Sequence, residues 1–198
     1  MLHQELGPAP QLPSWKGLQM KDMEQFTTPR MTAKAVREAH FHEINRLHSD
    51  PEVMRTLSAD GLPLPEEKTR EGLKRQEEHW KGHGFGFYAF FSRDGGDFIG
   101  RAGLQRYDIN GQVELGLAYA VLSEHWGKGF ATEMARACLE IAFNRLEKEN
   151  VASWPLPKNR KSQHILEKLG FVFEQDFEFA GLPHRFYRLK YEDYQPGE

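Results

Sequence analysis

The sequence predicts a mixed α/β domain of the α+β kind, with a largely antiparallel central sheet flanked by helices. Three observations carry this. The middle of the chain sets aromatic and apolar strand-like runs on either side of two tight turn signals, Asp94-Gly95-Gly96-Asp97 and Asn110-Gly111, which read as hairpins. From Gly129 the period changes: Ala131, Met134, Ala135, Cys138, Ile141, Ala142 and Leu146 fall at three- and four-residue spacings, the single apolar stripe of an amphipathic helix. Beyond it, strand and helix alternate to the end, the element order of a mixed sheet.

Four of the first fifteen residues are Pro or Gly and no period runs through them. Residues 1–26 are therefore read as a poorly ordered extension or a strap over the surface, and residues 27–198 as the domain. Arg30 to Val36 is a short first strand. Ala39 to His48 places Phe41, Ile44, Leu47 and His48 at helical spacing. Asp50 caps a second short helix with Pro51 as its first residue and Val53, Met54 and Leu57 inward. After the loop Gly61 to Pro65, a polar helix runs to about Lys81. Phe85 to Phe91, Phe98 to Tyr107 and Val113 to Leu122 form an antiparallel meander. Val151 to Trp154 is a short strand, and Ser162 to Leu169 a helix closed by Gly170. Phe171 to Phe179 and Arg185 to Tyr191 are closing strands around Gly181-Leu182-Pro183.

Composition excludes several function classes. With 26 Lys and Arg against 29 Asp and Glu, the formal net charge is −3. Such a chain lacks the basic excess that gripping a nucleic-acid backbone requires. A hydrophobic fraction of 39% supports a core and argues against disorder. No apolar run reaches the length of a membrane span, and the first residues show no secretory pattern. The lone Cys138 allows no internal disulfide and no four-cysteine zinc site. No metal is expected, and the setting expected is cytoplasmic, as a monomer or homodimer.

The segment Trp126-Gly127-Lys128-Gly129-Phe130-Ala131-Thr132 joins an apolar strand to an amphipathic helix. Two glycines and an alanine leave its backbone bare, so an anion can approach the N–H groups closely. The first N–H groups of the helix lack partners and lie at the positive end of the dipole, which together make a phosphate seat. The dipole contributes about 0.3–1 kcal/mol, whereas each charge-assisted hydrogen bond adds roughly 1.5–3 kcal/mol, so the donors dominate. A Walker loop fails because Gly129, not Ser or Thr, follows Lys128. A dinucleotide fingerprint fails because Thr132 stands where a third glycine is needed. An ordinary strand-to-helix turn is the plain alternative.

The sequence resembles the GNAT acyl-coenzyme A transferases, in the branch of the ribosomal-protein N-terminal acetyltransferases. Gly129 and Ala131 stand as the small residues of the family's phosphate loop, with Trp126 in its first position, as is usual in this branch. Thr28-Pro29-Arg30, Asp50-Pro51-Glu52-Val53-Met54, Phe98-Ile99-Gly100, Val113-Glu114-Leu115-Gly116, Asn159 with Ser162, and Glu167-Lys168-Leu169-Gly170-Phe171 match further pieces in order. The resemblance spans residues 27–191. It implies the GNAT fold and transfer of an acetyl group from acetyl-coenzyme A to a primary amine, on a protein N-terminus or a small molecule, by direct attack without an acyl-enzyme. It places the pyrophosphate on the backbone of Trp126 to Thr132 and pairs the pantetheine arm, like an added strand, with Tyr119 and Val121. Asn159 and Ser162 would face the arm or the thiol.

The reaction needs a base for the protonated amine and an acid for the departing thiolate. Glu114, on the strand leading to the site, is the candidate base, or else an exposed strand carboxylate. Ser162 is the candidate proton donor, or a cap at a helix start. Tyr119 is a rival acid, or core. Lys158-Asn159-Arg160-Lys161 meets the 3′-phosphate of coenzyme A or is a solvated loop. His79 and His83 stand at i and i+4 without a third ligand and are read as solvated, as are His40, His42 and His48. Cys138 reads as inert core. The loops Leu57 to Glu67 and Ala180 to His184 would select the acceptor. A noncatalytic acyl-coenzyme A sensor is the alternative function.

Overall fold

The computed structural model describes residues 23–109 and 111–196. Most of the leading extension, and Asn110 of the second hairpin, lie outside them. Among the described residues eight strands form one sheet in the order β1-β2-β3-β4-β5-β6-β8-β7. They are β1 (Gln25–Thr27), β2 (Met31–Ala35), β3 (Phe87–Ser92), β4 (Phe98–Ile109), β5 (Gln112–Val121), β6 (Asn150–Ser153), β7 (Val172–Phe179) and β8 (Leu182–Lys190). Every neighbouring pair is antiparallel except β5 with β6. Among the described residues five α-helices accompany the sheet: α1 (Phe41–Ser49), α2 (Pro51–Leu57), α3 (Glu66–His83), α4 (Phe130–Asn144) and α5 (Arg160–Lys168).

The pleat of β5 divides the core. Leu115, Leu117 and Val121 join the cluster of α4 and α5, while Ala120 and Leu122 join that of α1 and α3. Period-two alternation at a sheet buried on both faces produces this split. Gly100 and Gly103 permit the closest approaches within the meander, because a Cβ there would run into the backbone of Ala120 and of Phe87 respectively. β5 and β6 are paired only at Gly116 and Ala152. One residue on, Ser153 Oγ donates to the Leu117 carbonyl at 2.9 Å, and beyond that tie the strands part. The edge of β5 from Tyr119 to Val121 is thereby exposed to a cleft.

Three sequence expectations change. Gln25 and Phe26, assigned to the extension, pair with Lys34 and Ala33 of β2, and Met23 is buried; the apolar pair Met23 and Phe26 is too short to show a period. The last hairpin turns at Ala180 and Gly181, and Leu182 and Pro183 belong to β8. β6 pairs β8 only from Tyr187 to Lys190, so Pro183 has a free edge where a missing N–H costs nothing. The stripe of α4 is wider than its spacing implied, since Ala137, Leu139 and Phe143 are also buried. Tyr194, after β8, packs on Phe143 at 4.7 Å and donates to Glu140 at 2.6 Å.

The imidazoles read as solvated are in part structural. His48 is buried and its Nδ1 lies 2.9 Å from Thr69 Oγ1. His79 Nδ1 donates to the Phe85 carbonyl at 2.9 Å and its Nε2 accepts from the Arg106 N–H at 3.2 Å. Both ring nitrogens are thus occupied within the protein.

Candidate active site

The turn between β5 and α4 is built by two left-handed glycines. Gly127 has φ 75° and Gly129 φ 78°, a region that costs other residues about 1–2 kcal/mol. A Cβ on Gly127 would meet nothing within 4 Å, so the backbone there is bare on its outer side. From Gly127 to Thr132, no backbone N–H finds an acceptor among the described residues; the first to do so is Glu133, which reaches the Gly129 carbonyl at 3.1 Å. This run of donors at the start of a fifteen-residue helix suits a diphosphate.

A clamp from the β1–β2 turn holds the loop. Arg30 Nε meets Glu133 Oε2 at 2.6 Å and its Nη1 donates to the Lys128 carbonyl at 2.7 Å. Thr28 Oγ1 and the Arg30 N–H both donate to Glu133 Oε1, at 2.6 and 3.0 Å. The Phe130 ring lies 4.4 Å beneath the guanidinium. Glu133 would repel a phosphate one turn into the helix; Arg30 neutralises it and keeps it turned to the protein. Sequence reasoning missed this pair, although Thr28-Pro29-Arg30 was one of the matched pieces and Glu133 directly follows the Trp126–Thr132 segment.

The cleft has a volume of about 550 Å³. Its walls are Val53, Arg55, Thr56 and Leu57 of α2, Tyr119 to Val121 of β5, Trp126 with most of the phosphate loop, and Lys158 to Ser162 with Ile165 around the start of α5. The α2 wall was not foreseen. Asp50 positions it: one carboxylate oxygen accepts from the Glu52 and Val53 N–H groups, and the other accepts from Ser123 N–H at 2.9 Å. The Asp-Pro cap signal thus also ties α2 to the turn after β5. Arg55, Lys158, Arg160 and Lys161 make the rim basic, with Lys161 Nζ 4.1 Å over the Trp126 ring.

Most of the residues expected at the site meet here. Tyr119, Val121, Trp126, Gly127, Gly129, Phe130, Ala131, Thr132, Asn159 and Ser162 all line the cleft. Lys128 does not, and its carbonyl faces Arg30. The Val121 carbonyl, expected to pair with an arm of the cosubstrate, already accepts from the Trp126 indole at 2.8 Å. Asn159 caps α5, its Oδ1 accepting from Ser162 N–H at 3.1 Å. Tyr119 is not mere core: its hydroxyl lies 3.0 Å from Ser162 Oγ and donates to the Ser162 carbonyl at 3.1 Å. Burial pushes this phenol well above its ordinary range, so it stays protonated and able to donate.

Glu114 is the expectation the structure corrects. It does not line the cleft. Its two oxygens accept from Arg188 Nη1 and Nη2, each at 2.9 Å, and the same guanidinium reaches Glu174 and Asn150. Both oxygens of this carboxylate are thus held in a bidentate pair away from the cleft. Cys138 is fully buried on α4 and burial raises its thiol far above the ordinary range, so it is no nucleophile. Among the described residues no group of three or more His, Cys, Asp or Glu could hold a metal ion, and no helix is long and apolar enough to cross a membrane. A second hollow of about 770 Å³, by Asn144, Glu149 and Arg188, has no phosphate cradle.

Comparison with known proteins agrees with this geometry. Residues 30–172 match the acetyltransferase (GNAT) domain. An uncharacterized protein of Bacillus subtilis strain 168, YkkB, is 31% identical over 144 residues, covering 73% of this chain and 82% of its own. An uncharacterized N-acetyltransferase of Bacillus licheniformis, p20, is 25% identical over 172 residues, covering 80% and 89%. The structure of RimL, a ribosomal alpha-N-protein acetyltransferase in complex with coenzyme A, superposes with a TM-score of 0.67 at 16% identity, over 84% of this chain and 98% of that one.

Proposed function

The chain belongs to the GNAT acetyltransferase family, and on that premise we propose that it carries an acetyl group from acetyl-coenzyme A directly to a primary amine, on a protein N-terminus or a small molecule. The observation that carries the cosubstrate is the unpaired run of N–H groups from Gly127 to Thr132. These would hold the pyrophosphate, the basic residues Lys158, Arg160 and Lys161 the outer phosphate, and the free edge of β5 the pantetheine arm. Acetyl-coenzyme A supplies the activated thioester; the protein orients it and manages the protons.

In this reading the amine's lone pair forms a bond to the acetyl carbonyl carbon. The carbon–sulfur bond then breaks, the departing thiolate takes a proton, and the nitrogen, positively charged after the attack, gives up one of its own to solvent, which restores the donor. Tyr119, hydrogen-bonded to Ser162 in the cleft, would give the thiolate its proton. Among the described residues no carboxylate lines the cleft, so the acceptor arrives as the free base or loses its proton to water. A cytoplasmic setting is supported by the cosubstrate, which is drawn from metabolism. The test is a thermal shift with acetyl-coenzyme A followed by thiol release across an amine panel. Stabilisation with thiol release that depends on amine supports the reading; stabilisation with none from any amine returns the chain to a binding module.

A further inference from the structure

Arg101 stands in the middle of β4, opposite Ala120 of β5 on one side and Ala89 of β3 on the other. Ala120 lines the cleft. Cross-strand partners share a face, so Arg101 lies on the α1–α3 side of the sheet, opposite to that of Tyr119. Its neighbours are methyl groups, and its long side chain reaches over the Phe87 ring at 5.0 Å. Further along the same face the floor beside it is Gly103 and Ala118, which are paired in register; then come Gln105 with Gly116 and Tyr107 with Glu114, the Tyr107 ring packed edge-on against Trp154 at 4.9 Å.

This guanidinium has no hydrogen bond or ion pair among the described residues, and its Nε is sealed from solvent without an acceptor. The other arginine of the sheet interior, Arg188, is satisfied by Glu114, Glu174 and Asn150. The groups that feel the Arg101 charge are the Tyr107 phenol and the His48 imidazole, and no carboxylate is among them. Burial holds the phenol protonated and the imidazole uncharged. A cation held away from water without a counter-charge is strongly disfavoured. A planar fork of donors beside a small-residue floor is the arrangement that takes a carboxylate in two hydrogen bonds.

We propose that Arg101 receives a carboxylate carried by the acceptor, so that the amine is acetylated on a molecule that also bears an acid group. This rests on the transferase reading and narrows its substrate class. The Tyr107–Trp154 pair would bound the acceptor's apolar body at the far end of the floor.

The experiment compares paired acceptors whose amines ionise alike: para-(aminomethyl)benzoate against para-(aminomethyl)benzamide, and a C-terminally amidated tripeptide with Asp or with Asn in second place. Wild type should use the acid member of at least one pair with about ten- to hundredfold higher kcat/KM, the worth of a charge-assisted contact. Arg101→Gln should erase that preference while acetyl-coenzyme A affinity, by calorimetry, is unchanged; Arg101→Lys should keep part of it. Which pair responds separates a small acceptor from a peptide. Equal use of acid and amide by wild type, or a preference that survives in Arg101→Gln, overturns the inference while leaving the transferase reading intact. If no amine is turned over, saturation-transfer NMR of the same benzoate and benzamide on the acetyl-coenzyme A complex decides. Binding of the benzoate alone, lost in Arg101→Gln, upholds the anion site though the transferase reading falls. Equal binding of both, or none, overturns it.

Discussion

Arg30 grips both sides of the phosphate loop: its Nε holds Glu133 at 2.6 Å and its Nη1 holds the Lys128 carbonyl at 2.7 Å. The Arg30 side chain is 46% exposed, so the ion pair adds at most about 1 kcal/mol to stability. Its effect is on shape: it fixes the carbonyl of the residue between the two glycines and turns Glu133 away from the anion. Arg30→Met should therefore leave the melting temperature nearly unchanged and raise the acetyl-coenzyme A Kd about tenfold, equivalent to 1.4 kcal/mol. Calorimetry and a melting curve on the same variant test this. A Kd equal to wild type would show that the loop holds its shape without the clamp.

Gly129→Val should act more severely on binding. The valine would sit at φ 78°, with its Cβ 3.5 Å from Arg30 Nη2. It would disturb the clamp and crowd the donor run together, at a backbone cost of about 1–2 kcal/mol. The protein should still fold, and acetyl-coenzyme A binding should fall at least a hundredfold, the loss of about two charge-assisted hydrogen bonds. Circular dichroism and calorimetry report the two outcomes separately, and wild-type affinity in a folded variant would move the phosphate seat elsewhere.

Tyr119→Phe removes the hydroxyl nearest to Ser162 and should lower kcat roughly a hundredfold, the low end of acid–base catalysis because the Ser162 hydroxyl remains. The KM for acetyl-coenzyme A should hold. Since burial raises this phenol above its ordinary value of 10.0, it remains a donor throughout pH 6–10. The wild-type rate should then rise with pH as the acceptor amine loses its proton, without a falling limb below pH 10. A falling limb near pH 9 that disappears in Tyr119→Phe would contradict this assignment.

The sheet and its main site were legible because their signals are local. Hairpin turns, a change of period at Gly129 and the bare glycines all act over a few neighbouring residues. What the sequence hid depends on contacts across the fold. Arg30 meets Glu133 across 103 positions, and Arg188 meets Glu114 across 74; no periodicity reports such partners. Glu114 shows the same limit: its motif was sound, but the residue that pairs its carboxylate outside the cleft lies on β8. His48 fell at core spacing on its helix, yet its chemistry suggested a surface, and only Thr69 on α3 explains how an imidazole is tolerated inside.

Glu114→Gln separates the structural pair from a base. The pair is mostly buried, with side-chain exposures of 11% for Glu114 and 21% for Arg188. Replacing the carboxylate weakens two charge-assisted hydrogen bonds that tie β5 to β8, and a loss of roughly 1.5–3 kcal/mol is expected in urea unfolding. The kcat of the folded variant should stay within a few-fold of wild type. A fall of about 10²–10⁴-fold with intact stability and cofactor affinity would restore Glu114 as the base.

His48 should make the protein acid-sensitive in a defined window. Its pKa is lowered from 6.5 to about 3, first by burial and then by the Arg101 charge. The unfolded chain takes up a proton near pH 6.5 while the folded imidazole refuses it, so in this range the unfolded state binds more protons and stability rises with pH. The contribution is fully present above pH 6.5 and is lost as pH falls from there toward 3, at a slope approaching about 1.4 kcal/mol per pH unit. His48→Gln keeps a partner for Thr69 and removes the titration. Urea unfolding of both proteins between pH 7 and 4 should give curves that converge toward low pH, carboxylate effects being common to both. Parallel curves would mean that the folded protein admits a charged His48, and hence that water or an anion reaches the space between α1 and Arg101.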